Sequence, residues 1–163
     1  MTEPVEVLVP MGHYAVRRGY GVLAALGLGS CVAVMLYDQD IPVGGLAHVV
    51  LPSASLSRNR ERPARFAETA VPLLIGAMRA EGADPRRLVA RLAGGASMFA
   101  DLLPANTVSM GERNVIAARE ALKAAGIPIV GQTVGGNAGR SVWFDVRRGS
   151  ALVRSVGRED HVL

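Results

Sequence analysis

From Tyr20 to Tyr37 the chain carries no charged side chain, and this run limits the fold more than any other stretch. It is nearly long enough to cross a membrane as a helix. It follows Arg17-Arg18, and its Leu28-Gly29-Ser30-Cys31 segment has the form of a bacterial lipoprotein cleavage site. Three features oppose export. Glu3 and Glu6 stand where a signal peptide would be basic. The apolar character continues past Cys31, where a processed lipoprotein carries a polar tether. Glycines at 21, 27 and 29 punctuate the run as strand, turn and strand. It is therefore read as two buried strands, with no membrane insertion.

The same reasoning extends along the chain. Val5–Val9, bounded by Pro4 and Pro10, reads as a short first strand. Val22–Leu26 is the next, and Gly27–Ser30 forms a tight turn that delivers Cys31. Val32–Tyr37 and Val43–Leu51 follow, joined by a short polar link that favours a hairpin. Residues 53–62 are polar, basic and serine-rich, and are expected to form a mobile surface loop. A helix is expected after Pro63, with Phe66, Ala70, Leu73, Leu74, Ala77 and Met78 at helical spacing. Pro72 should kink it or delay its start, and Gly82 ends it. Leu88–Leu92 is a strand.

Ser109 and Glu112 form a capping box for a second helix. Val115, Ile116, Ala118, Leu122 and Ala125 lie along its apolar side, and Gly126 stops it. Strands over Ile127–Val134, Ser141–Val146 and Ala151–Val156 complete the chain. With 163 residues the chain suits one domain, 1–163. The expected fold is an α/β, α+β-like sandwich. It has about eight strands, largely antiparallel, and two substantial helices.

Composition narrows function. One cysteine excludes an internal disulfide and cysteine-rich zinc sites, and fits a reducing, cytoplasmic setting. His13, His48 and His161 show no ligand spacing, so neither a metal nor another cofactor is expected. Net charge is +4 and aromatics are 4%. Without an aromatic ladder beside the scattered arginines, nucleic acid is not an expected partner.

The chemistry-bearing residues are Cys31 and His48. A thiol needs a group that lowers its pKa or takes its proton before it attacks a carbonyl carbon, and histidine does this near neutrality. Gly29 and Ser30 supply turn amides suited to an oxyanion. The hairpin brings His48 back toward Cys31. On residue type alone, a lone cysteine in an apolar strand is most often a small buried hydrophobe, and His48 a satisfied core histidine.

Several motifs in fixed order alter that balance. They are Leu26-Gly27-Leu28-Gly29-Ser30-Cys31-Val32-Ala33-Val34, Gly44-Gly45-Leu46-Ala47-His48-Val49-Val50-Leu51-Pro52 and Gly94-Gly95-Ala96-Ser97-Met98-Phe99. Met110-Gly111-Glu112-Arg113-Asn114-Val115 and Gly135-Gly136-Asn137-Ala138-Gly139-Arg140 follow. Together they resemble CheD, the bacterial chemoreceptor glutamine deamidase family, from about Val7 to Val153.

The resemblance implies conversion of selected glutamines on methyl-accepting chemotaxis receptors to glutamate, with release of ammonia. It also implies Cys31 as nucleophile and His48 as base and acid. The receptor cytoplasmic domains would be partners, and in several bacteria a CheC-type phosphatase is another. The family has a threonine six positions before the cysteine, where it orients the histidine; here that position is Ala25. Three alternatives stay open. A backbone carbonyl near Ala25 orients His48, or a hydroxyl such as Ser30 or Ser53 does. Otherwise the protein turns over slowly and acts mainly as an adaptation partner.

Overall fold

The computed structural model describes residues 5–163; Glu3 and Pro4, invoked above, lie outside the described residues. The uncharged run folds as two strands, β3 (Val22–Leu28) and β4 (Val32–Asp38), which belong to different sheets. No helix of the described residues is long and apolar enough to cross a membrane.

One sheet takes the order β1-β3-β8-β9-β10, with β1 at Glu6–Leu8, β8 at Arg140–Asp145, β9 at Ser150–Ser155 and β10 at His161–Val162. The other takes the order β2-β5-β4-β6-β7, with β2 at Tyr14–Arg18, β5 at Val43–Val49, β6 at Leu88–Gly94 and β7 at Ile129–Val134. Two helices, α1 (Ala67–Ala80) and α2 (Met110–Ala124), complete an α+β sandwich. Pairing is antiparallel except for β1 with β3 and β6 with β7.

The layering explains the apolar run. β4 is central in its sheet and covered on both faces, so nearly all its side chains are apolar. Val32, Val34 and Leu36 pack with Val49, Val71, Leu74 and Leu122 under the helices. Cys31, Ala33 and Met35 face the other sheet, among Leu23, Ala25, Leu28, Val142 and Phe144. β8, covered on one face, alternates buried and half-buried residues as a strand of that kind should.

Several local expectations are corrected. β2 is a strand beyond those the sequence pattern predicts, because Tyr14–Arg18 is half polar and lies at the sheet edge beside β5. Gly27 and Leu28 belong to β3 rather than to the turn, which shrinks to Gly29-Ser30; an irregularity between Ala25 and Leu28 accommodates Gly27 at φ 65°. Pro63 opens a single 3-10 turn, and α1 begins only at Ala67 with Pro72 inside it. Ile116 is exposed on α2, whose buried line runs through Asn114, Val115, Ala118 and Leu122. The Ser109 hydroxyl accepts from the Glu112 amide at 3.2 Å. Within 53–62, Ala54–Leu56 form a 3-10 turn capped by Ser53.

Candidate active site

The chain passes from one sheet to the other at Gly29-Ser30, so Cys31 enters β4 at the rim of the sandwich with its side chain between the layers. The turn is held by its carbonyls. Gly29 O accepts from the Ala96 amide at 2.8 Å, and Cys31 O accepts from the Gly95 amide at 2.8 Å. Ser30 O accepts from Asn114 Nδ2 at 2.9 Å. Gly94 adopts φ 114°, and a Cβ on it would collide with the Cys31 carbonyl oxygen. Only glycine lets that loop approach so closely. Met98 lies against the turn: a Cβ built on Gly29 would stand 3.2 Å from its sulphur.

His48 arrives from the neighbouring strand. Ala33 on β4 pairs with His48 on β5. Cys31, two residues from Ala33, lies on the same face as a diagonal neighbour of His48, a position roughly 7–8 Å away along the backbone. Cys31 is 7% exposed and His48 3%.

The imidazole has one fixed partner. His48 Nδ1 lies 2.9 Å from the main-chain oxygen of Val9. A carbonyl only accepts, so Nδ1 carries the proton and donates it. In the neutral ring Nε2 is then the basic nitrogen, and among the described residues it has no hydrogen-bond partner. Val9 is itself anchored, its amide donating to Ala24 O at 2.8 Å. The carbonyl that holds His48 thus comes from a residue lying alongside Ala24-Ala25. Ala25 is fully buried in the layer between the sheets. The Ser53 hydroxyl instead meets Ser55 at 2.9 Å, and Ser30 is half-buried in the turn.

Burial pushes the His48 imidazole below 6.5, with the Val9 hydrogen bond pulling the other way. Burial likewise pushes the Cys31 thiol above 9.0, opposed by its own backbone amide. Desolvation disfavours both charged forms, so the two groups rest as thiol and neutral imidazole. Such a pair suits proton removal during attack rather than a standing thiolate.

Sequence reasoning missed two residues. Val9 acts through a backbone atom, which no side-chain pattern reveals. Asn114 did leave a signal: it is an amide at the head of the buried line 114, 118 and 122 of α2. It is fully buried, and its Nδ2 donates to Ser30 O and to Val50 O, both at 2.9 Å.

Arg58, Arg60 and Arg62 are exposed, and Arg62 contacts His13. A cavity of about 250 Å³ opens beside the end of β5, lined by Met11, Val50, Asn59, Arg62 and Arg65. A larger one of about 580 Å³ lies between α1 and α2 along Glu68, Pro72, Ala117 and Glu120, and touches neither Cys31 nor His48.

Residues 50–155 match the family described as CheD chemotactic sensory transduction. A probable chemoreceptor glutamine deamidase CheD of Caldanaerobacter subterraneus is 43% identical, over 91% of this chain and 92% of that protein. The chemoreceptor glutamine deamidase CheD of Thermotoga maritima is 41% identical, over 94% of each chain. Among solved structures, a Bacillus licheniformis hypothetical protein, YfiH, aligns with 71% of this chain and 48% of its own at a TM-score of 0.45 and 17% identity.

Proposed function

This chain belongs to the CheD family, and on that premise we propose that it hydrolyses selected glutamine side chains of chemotaxis receptors to glutamate, with Cys31 as nucleophile and His48 as base and acid. The observation that carries the reading is the commitment of His48 Nδ1 to Val9 O. It leaves Nε2 basic and unpartnered on the face that bears Cys31.

The chemistry balances with water as the sole co-reactant. Cys31 Sγ bonds to the carboxamide carbon as its proton passes to His48 Nε2, and the C=O π pair moves to oxygen. Main-chain amides of the Gly29-Ser30-Cys31 turn receive that oxyanion; a donor of this kind is worth ~3–4 kcal/mol to the barrier. Collapse breaks the C–N bond, and the imidazolium gives its proton to the departing ammonia. Water then attacks the thioester, giving a proton to the neutral imidazole. A second collapse releases glutamate and returns the proton to sulphur. No cofactor takes part. On this reading the receptor cytoplasmic domains are the macromolecular partner, the working location is the cytoplasm, and a CheC-type phosphatase is a further candidate.

The test is mass spectrometry of a receptor cytoplasmic fragment after incubation with the protein. Each conversion replaces NH by O and adds one negative charge. Wild type should produce the shift, and Cys31→Ala and His48→Ala should each abolish it. Absence of any shift with wild type, together with intact receptor binding, would favour the second reading. That reading is a weakly active or inactive adaptation partner, and Ala25 at the family's threonine position is the feature that supports it.

A further inference from the structure

The turn that presents Cys31 has a hydrogen-bonded backing that the nucleophile–base pair does not account for. Asn114 reaches from α2 into the buried layer and donates one N–H to Ser30 O and the other to Val50 O, each at 2.9 Å. Ser30 and Val50 lie just beyond the last register partners of β4 and β5, Val32 and Val49. The ladder has ended there, and one side chain continues it. Asn114 is fully buried, and among the described residues its Oδ1 has no hydrogen-bond partner. Stranding a buried acceptor is unfavourable. A side chain kept only to fill space would not need that acceptor.

A trans peptide is planar, with its C=O and N–H pointing opposite ways. Whatever holds Ser30 O therefore also aims the N–H of Cys31. Asn114 grips that oxygen from the α2 side and turns the Cys31 amide away from the helix. That amide and the thiol belong to the same residue, so the N–H stands beside the attacking sulphur. An N–H beside the attacking atom is placed to receive an oxyanion formed on the carbon that sulphur joins. The close contact of Gly111 with Ala96 O and Gly95 O fixes the start of α2 against this loop, and so fixes where Asn114 begins its reach.

Building on the Cys31 nucleophile reading, we infer that Asn114 is a positioning residue of the reaction: it locks the Ser30–Cys31 peptide so that the Cys31 amide serves as the oxyanion donor, and ties that peptide to the His48 strand through Val50. It touches no substrate. Its effect should appear in the step where the carbonyl π pair moves to oxygen.

The experiment compares Asn114→Ala and Asn114→Asp with wild type in receptor-fragment deamidation, alongside iodoacetamide alkylation of Cys31 across pH. Alkylation displaces iodide from a saturated carbon and forms no oxyanion, so it reports on the thiol and its surroundings alone. Misplacement of one group by about an ångström costs ~10²-fold, and kcat is expected to fall ~10- to 100-fold in both variants with KM within ~3-fold. The alkylation rate and its pH profile should stay within ~3-fold of wild type. Asn114→Ser keeps one donor and should give an intermediate kcat. It provides the same readout if the other two variants do not fold.

Loss of alkylation in step with kcat would reduce Asn114 to a structural strut and overturn the assignment. So would kcat within ~3-fold of wild type in a folded variant. If Cys31→Ala retains deamidation, the nucleophile reading fails first. If Cys31→Ala is inactive and the Asn114 variants are not impaired, only the Asn114 assignment fails.

Discussion

His48 Nδ1 and the main-chain oxygen of Val9 lie 2.9 Å apart, which fixes both the tautomer and the direction of a ring that is 3% exposed. A base held this way acts only while neutral. Burial, outweighing the Val9 hydrogen bond, pushes its pKa below 6.5. The neutral form therefore persists to lower pH than in a free imidazole. The acid limb of kcat/KM should have its midpoint below 6.5, measured as initial deamidation rate against pH at low receptor concentration. A midpoint above 6.5 would mean an imidazolium paired with a standing thiolate, and would sink the neutral-pair description.

Ala25→Thr tests whether a missing hydroxyl limits turnover. Nδ1 already has a carbonyl partner, and position 25 is fully packed between the sheets. The expected outcome is kcat within ~3-fold of the parent, with ~1–2 kcal/mol of stability lost to overpacking. Denaturant melts and single-turnover rates measure the two effects. A tenfold faster enzyme would show that the Val9 carbonyl does not replace the hydroxyl.

Gly94→Ala should be severe. The new Cβ would strike the Cys31 carbonyl oxygen, and φ 114° is a conformation that alanine resists. A loss of at least ~2 kcal/mol is expected. The surviving folded fraction should deamidate poorly, because the collision falls on Cys31, the proposed nucleophile. Near-wild-type stability in urea would contradict the close approach.

Asp38 closes the far end of β4, fully buried. Its two oxygens accept from Arg87 at 2.9 Å each, and from the Asp84 and Asp40 amides at 2.9 Å. Burial alone would raise this carboxyl, but Arg87 and the two amides outweigh it and hold it down to about 2. A folded value below the unfolded 3.8 contributes stability that is present above 3.8 and lost as pH falls toward about 2. Asp38→Asn should cost ~2–3 kcal/mol at neutral pH, less than a wholly buried pair because Arg87 is partly solvated. It should also flatten the acid limb of stability. Cys31 lies a full strand away, so kcat per folded molecule should not change.

Much of this architecture was written in the hydrophobic pattern. The uncharged run from Tyr20, its glycine breaks and the hairpin carrying His48 follow from period and turn chemistry, and the two helices from 3.6-residue spacing. β2 was hidden because an edge strand with one open face needs little apolar signal. The second sheet position of β3 was hidden because pairing β3 with β8 joins residues far apart in sequence. At the candidate site, motif order pointed to Cys31 and His48 as the proposed nucleophile and base. It did not point to the groups that hold them. Val9 acts through a backbone oxygen, and Asn114 through two main-chain carbonyls on separate strands. Neither contact has a spacing rule.

The seam between the sheets has a consequence for the protein's working life. A thiol that is 7% exposed and held protonated by burial is a slow target for peroxide, which reacts with thiolate. As the chain's only cysteine, Cys31 also has no neighbour with which to close an internal disulfide. The desolvation that would make the proposed nucleophile depend on His48 thereby shields Cys31 from oxidative wear.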